Sequence, residues 1–137
     1  LGDVYKRQNL FLSESGVVKV GDFGLAVQLE HSCSRRNTAC GTSLYMAPEV
    51  YSSGACLKSD VWSLGMSVIE MAEGKHPFGD CTSAQVMIRV LNTPSPSLTS
   101  SGWSGDLVDF VKQCLMKDVN ERSSVEELLK VRVLIGE

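Results

Sequence analysis

Two short apolar runs, 9–12 and 17–20, flank the polar stretch Ser13-Glu14-Ser15-Gly16. Short apolar runs joined by a polar loop ending in glycine predict a β-hairpin. From Gly21 to about Gly54 no hydrophobic period is sustained. An irregular stretch of that length inside a compact domain is usually functional or mobile. The pattern then turns helical. Ser59 reads as an N-cap and Gly74 as the residue just past the end of a helix. Between them Val61, Trp62, Leu64, Met66, Val68, Ile69, Met71 and Ala72 fall on all sides. A helix apolar all round is a central, buried one. A second helix follows Thr82 and Ser83 and ends near Asn92, and Thr93 to Gly105, rich in Pro, Ser and Gly, reads as a connecting loop. Leu107, Phe110, Val111, Cys114 and Leu115 form the stripe of an amphipathic helix. Ser124 and Glu127 give a capping box for a last short helix. No internal repeat is present. The pattern predicts an α+β chain: a hairpin, a long loop, then helices around one buried helix.

Composition narrows the partners. The chain has 137 residues, 43% hydrophobic and 21% charged, which suits one globular domain or part of one and argues against disorder. Thirteen Lys and Arg against 16 Asp and Glu argue against a partner held by basic charge, so no nucleic acid is expected. No membrane span is expected either: the best apolar stretch, Val61 to Ala72, is interrupted by Ser63, Gly65, Ser67 and Glu70. No basic segment followed by an apolar core opens the chain, so no signal peptide is expected. Five widely spaced cysteines, none in a Cys-x-x-Cys pattern, and only two histidines point to reduced thiols in a cytoplasmic protein rather than a zinc site.

The motifs carry more. Asp22-Phe23-Gly24 follows the hairpin, and Ala47-Pro48-Glu49 closes the irregular segment. Gly41-Thr42 lies between them. Ser59-Asp60-Val61-Trp62-Ser63-Leu64-Gly65 and then Arg122 follow. One tripeptide alone is a weak signal, but this ordered set in this context is specific. On these residues the chain resembles the C-terminal lobe of a eukaryotic Ser/Thr protein kinase, over about Asn9 to Lys130. It looks most like the sterile-twenty-like group of germinal-centre and Hippo-type kinases. Arg35-Arg36-Asn37-Thr38, Tyr45-Met46-Ala47-Pro48-Glu49, Ile69 to Lys75 and Asp109 to Leu115 carry that narrower likeness. The resemblance implies a mostly helical lobe with a short hairpin at its N-terminal end. It further implies an activation segment over 22–49, a helical subdomain over 59–130, and an N-lobe missing from this chain.

Phosphoryl transfer needs positioning and charge neutralisation more than covalent chemistry. By the resemblance, Asp22 would bind Mg²⁺ bridging the ATP phosphates, since a hard cation takes carboxylate oxygen. The bland reading is an aspartate in a surface turn. Asn9 would supply the second Mg²⁺ ligand, against an ordinary turn or cap asparagine. Phe11 is either the apolar floor of the adenine pocket or plain core packing. Gly24 would give the loop freedom to turn at the metal, and Phe23 would be the apolar residue whose packing sets active and inactive states. Thr42 matches the threonine that contacts the catalytic Asp and Lys and favours Ser/Thr acceptors. Thr38 would be the activation-loop phosphosite, its phosphate pairing with arginine, or else an unmodified loop threonine. Glu49 and Arg122 resemble a buried ion pair tying the activation segment to the helices; the alternative is two surface charges. Asp60 resembles the anchor of the catalytic-loop backbone, and a first-turn aspartate also suits the helix dipole. Trp62 and Trp103 read as core and loop anchors.

The chain departs from that family at both ends. Counting back from Asn9, Lys6 matches the catalytic-loop lysine, but Val4 stands where the base Asp belongs, and Gly2 and Asp3 where His and Arg belong. Residues 1–8 also look like translated adaptor sequence and are expected to be non-native. Residues 131–137 form a divergent tail in place of His-Pro-Phe, and Ser43 replaces a usual proline. The leading expectation is a segment of an intracellular signalling Ser/Thr kinase. It would use ATP and Mg²⁺ on protein substrates, with a homodimer serving autophosphorylation in trans. The alternatives are a pseudokinase or scaffold lacking the catalytic Asp, and a fragment that is not expressed. The chain alone is expected to be inactive, to expose apolar surface and to aggregate.

Overall fold

The structure is a computed structural model that describes residues 7–24, 26 and 43–131. Thr38, Thr42, Cys33, Cys40 and residues 1–6 and 132–137 lie outside the described residues.

Strands β1 (Leu10–Leu12) and β2 (Val18–Val20) pair antiparallel, with Leu10 opposite Val20 and Leu12 opposite Val18. The Ser13 hydroxyl accepts the Val17 N–H at 3.0 Å and the Ser13 N–H donates to the Val17 carbonyl at 2.9 Å, which closes the turn. Gly16 takes φ +81°, a left-handed value that costs glycine little. Between 43 and 54 the chain makes two short 3₁₀ turns, Ser43–Tyr45 and Pro48–Tyr51, with Pro48 at the start of the second.

Helix α1 (Leu57–Glu73) is the centre of the structure. It begins two residues before the expected cap. Cys56 is the N-cap, and Ser59 works from inside the first turn, its hydroxyl accepting the Cys56 N–H at 3.0 Å. Gly74 ends the helix in the left-handed conformation, φ +72°. Val61, Trp62, Met66 and Ile69 are buried, whereas Leu64 and Val68 are half-buried and Met71 is 52% exposed. The helix is therefore central without being covered on every side by described residues.

Helix α2 (Ser83–Asn92) is capped by Thr82 and buries Val86 and Val90 against the 43–51 turns. Helix α3 (Gly105–Cys114) buries Phe110, Val111 and Cys114 on α1. The crossing is close: a Cβ on Gly65 would lie 2.7 Å from Cys114 Cβ, so this position has no room for a side chain. Helix α4 (Val125–Leu128) starts with the Ser124–Glu127 capping box. No described helix is long and apolar enough to cross a membrane. Burial pushes the Cys114 thiol up to about 12, so it stays protonated.

Candidate active site

The hairpin register brings the two candidate ligands to one end. Beyond the Leu10–Val20 pair the ladder continues with the Gly21 N–H donating to the Asn9 carbonyl at 2.9 Å. Asn9 and Asp22 therefore flank the open end of the hairpin from its two strands. Asn9 is 4% exposed, while Asp22 is exposed. Asp22 has φ +59°, a left-handed conformation that aspartate tolerates better than most residues and that recurs at functional sites. The Phe11 ring lies over Gly21, where a Cβ would come within 2.7 Å of Phe11 Cε2. Phe11 is 58% exposed. Phe23 is exposed as well.

The donor set of this end suits a hard cation. Its residue types, an aspartate and an asparagine, are those Mg²⁺ takes while drawing its other ligands from water and substrate phosphates. Among the described residues no cluster of three His, Cys, Asp or Glu could hold a metal by protein ligands alone. A site with one carboxylate and one amide would fit a cation shared with a phosphate ligand.

A second polar cluster pins the 43–51 segment to the helices. Arg122 is fully buried and grips Glu49 with both ends of its guanidinium, at 2.7 and 2.9 Å. Nη1 also donates to the Lys58 carbonyl at 2.8 Å, and Nε to the Met116 carbonyl at 2.8 Å. The guanidinium carbon sits 5.2 Å from the Trp62 ring centroid, a cation–π contact. The Ser59 hydroxyl donates to Glu49 Oε1 at 2.7 Å. Burial pushes the Glu49 carboxyl up, but the bonds and charge of Arg122 and the Ser59 bond outweigh it, and the pKa lies below its ordinary value.

Asp60 occupies the first turn of α1. Its Oδ1 is buried and has no hydrogen-bond partner among the described residues. Burial pushes its carboxyl up to about 7. Buried acceptors are nearly always paired, so this oxygen is an open valence in the first turn of α1. The Trp62 Nε1 is likewise buried without a partner among the described residues.

The sequence reading missed one part of the segment's attachment. The Tyr45 hydroxyl donates to Glu70 Oε2 at 2.6 Å, and the Ser63 hydroxyl donates to the Tyr45 carbonyl at 2.8 Å. The available signal was the four-residue spacing of Ser59, Ser63 and Ser67 within an otherwise apolar helix.

Comparison with known proteins gives one consistent answer. The family model described as the protein kinase domain matches residues 3–134. The serine/threonine-protein kinase hippo of Drosophila melanogaster is 39% identical over 127 residues, covering 91% of this chain. The chain spans 19% of that relative's length.

Proposed function

The chain belongs to the protein kinase family, in the sterile-twenty-like group, and from that membership we propose that it is the catalytic-lobe segment of a Ser/Thr protein kinase using Mg-ATP. The observation that carries the reading is the hairpin register, which sets Asn9 and Asp22 at one end with Asp22 in a left-handed turn. These two residues would hold Mg²⁺. When bound, Mg²⁺ would neutralise charge on the ATP phosphates as the γ-phosphoryl group transfers. Gly24 would give the loop freedom to turn beside Asp22, and Phe11 would face the adenine. The Glu49–Arg122 pair fixes the end of the activation segment, 22–49, against the helical subdomain. Asp60 would accept a backbone N–H of the catalytic loop. Thr42 would help orient the acceptor hydroxyl of a protein substrate, and phosphorylation of Thr38 would order the segment. In an intracellular signalling role a homodimer would deliver that phosphate in trans.

The test is transfer of labelled phosphate from Mg-ATP to a Ser/Thr peptide by the full-length protein. Asp22→Asn should lower transfer at least about a hundredfold. Equal rates for the two proteins would sink the assignment of Asp22. Val4 supports a second reading, a pseudokinase without a catalytic base. A native full-length protein that carries Val4, transfers no phosphate and stays inactive on Val4→Asp would favour that reading.

A further inference from the structure

The segment between α2 and α3 is dense in hydroxyl side chains that phosphoryl transfer does not use. One carboxylate holds its middle. Glu73, in the last turn of α1, accepts the N–H groups of Thr99 and Ser100 on Oε1 at 2.8 and 3.0 Å. The Trp103 indole N–H reaches the same oxygen at 3.2 Å. Glu73 Oε2 accepts the hydroxyls of Thr99 and Ser100 at 3.0 and 2.6 Å. The Ser100 hydroxyl is the foremost of the donors that draw the Glu73 carboxyl down to about 2, so the latch carries a full negative charge at neutral pH. Just before it, Leu98 packs on the core and, with Val111 and Leu115, lines a cavity of about 430 Å³ between the segment and α3.

We propose that Ser100 is a phosphorylation site whose modification opens this latch. A protein kinase with Mg-ATP would form the bond from Ser100 Oγ to the γ-phosphorus as the bond to the ADP oxygen breaks. The hydroxyl proton passes to solvent. The product has about −1.5 to −2 charge at neutral pH and has lost the proton that the hydroxyl gave to Glu73. The shortest bond of the latch becomes a meeting of two anions. Ser100 is exposed, so its Oγ is within a kinase's reach once that one bond yields. Ser104 differs: its Oγ accepts the Leu107 N–H at 3.2 Å as the cap of α3, where added negative charge suits the helix N-terminus. Opening would release Thr99 and Ser100 from α1 and let Leu98 leave the cavity.

Hydrogen exchange of the full-length chain with phosphoserine at position 100 tests this. Exchange at the Thr99 and Ser100 amides should rise about tenfold, with Met66 in α1 unchanged. Ser100→Ala should raise it less than about threefold, because it removes one donor and adds no charge. In a Glu73→Gln background the phosphate effect should fall below about twofold, because a neutral amide can donate to phosphate. Unchanged exchange at Thr99 and Ser100, an equal rise at Met66, or a phosphate effect that Glu73→Gln leaves at full size would each overturn the latch. Phosphosite mapping of the protein from its own cells that never finds Ser100 modified would overturn the site.

Discussion

Removing Arg122 is the sharpest perturbation of the buried cluster. Arg122→Met leaves the Glu49 carboxylate buried with the Ser59 hydroxyl as its remaining side-chain donor, and it takes one hydrogen bond from each of the Lys58 and Met116 carbonyls. A buried ion pair broken on one side costs about 3–5 kcal/mol. The two lost carbonyl bonds, each worth about 1 kcal/mol, put Arg122→Met at the upper end of that range. Glu49→Gln keeps an acceptor for Arg122, whose other two bonds go to carbonyls, so it should cost about 3 kcal/mol. The double variant should cost little more than Arg122→Met alone, because both single changes destroy the same pair. The Glu49 carboxyl lies below its ordinary pKa, so the pair's contribution is full above about pH 4.5 and fades as pH falls through the folded value. Arg122→Met should therefore cost less at pH 3 than at pH 7. Urea unfolding followed by far-UV circular dichroism is the assay, since Trp62 lies under the guanidinium and its fluorescence would report the substitution itself. A loss below about 1 kcal/mol at pH 7 would refute the reasoning, being the value of an exposed pair.

Two further outcomes follow from positions on α1. Gly65→Ala would place a methyl 2.7 Å from Cys114 Cβ and 2.9 Å from Leu115 Cδ2; overpacking of about 1–3 kcal/mol should exceed the gain of about 1 kcal/mol in helix propensity and lower the melting temperature, and a higher melting temperature would show that α1 and α3 can part at no cost. Asp60→Asn should stabilise the chain at pH 8 by about 4 kcal/mol, the rise from 3.8 to about 7 taken at about 1.36 kcal/mol per pH unit. The folded carboxyl binds its proton more tightly than an ordinary one, so its contribution is most favourable below pH 3.8 and is lost as pH rises through about 7; a stability–pH profile that the substitution leaves unchanged would refute this.

Much of the fold was written in local signals. Thr82 with Gln85 and Ser124 with Glu127 are capping boxes whose residues bond their own first turns, so the sequence carries them without help from the rest of the molecule. The stripe Phe110, Val111, Cys114, Leu115 buries the face it predicts, because a helix has only one way to lay that spacing on a neighbour. The N-cap of α1 was misread by three residues because Ser59 is bound from two directions, by the Cys56 N–H and by Glu49, ten residues back in the chain. A pattern of caps cannot register the second partner. Phe11 illustrates the same limit from the other side. Its apolar character left adenine floor and core equally open, and its exposure over Gly21 follows from the absence of any described element beyond the hairpin edge. The donors around Glu73 were also invisible in the sequence, since Thr99, Ser100 and Trp103 lie 26 to 30 residues away.

The serines of α1 explain why a buried helix is not uniformly apolar. The 43–51 segment is irregular, so its backbone groups have no ladder to pair in, and each left unpaired against an apolar wall would cost about 1–3 kcal/mol. Serines spaced by four residues put small donors along one ridge of the helix, facing that segment. Ser63 donates to the Tyr45 carbonyl and Ser59 to the Glu49 carboxylate. Glu70, two turns further along the ridge, accepts the Tyr45 hydroxyl. A larger apolar residue at 59 or 63 would fill space but remove the donor that Glu49 or Tyr45 receives from α1. The polar ridge thus holds an irregular segment in one conformation, while Val61, Trp62, Met66 and Ile69 bury the apolar surface. A helix with both properties is what an irregular segment packed along it requires.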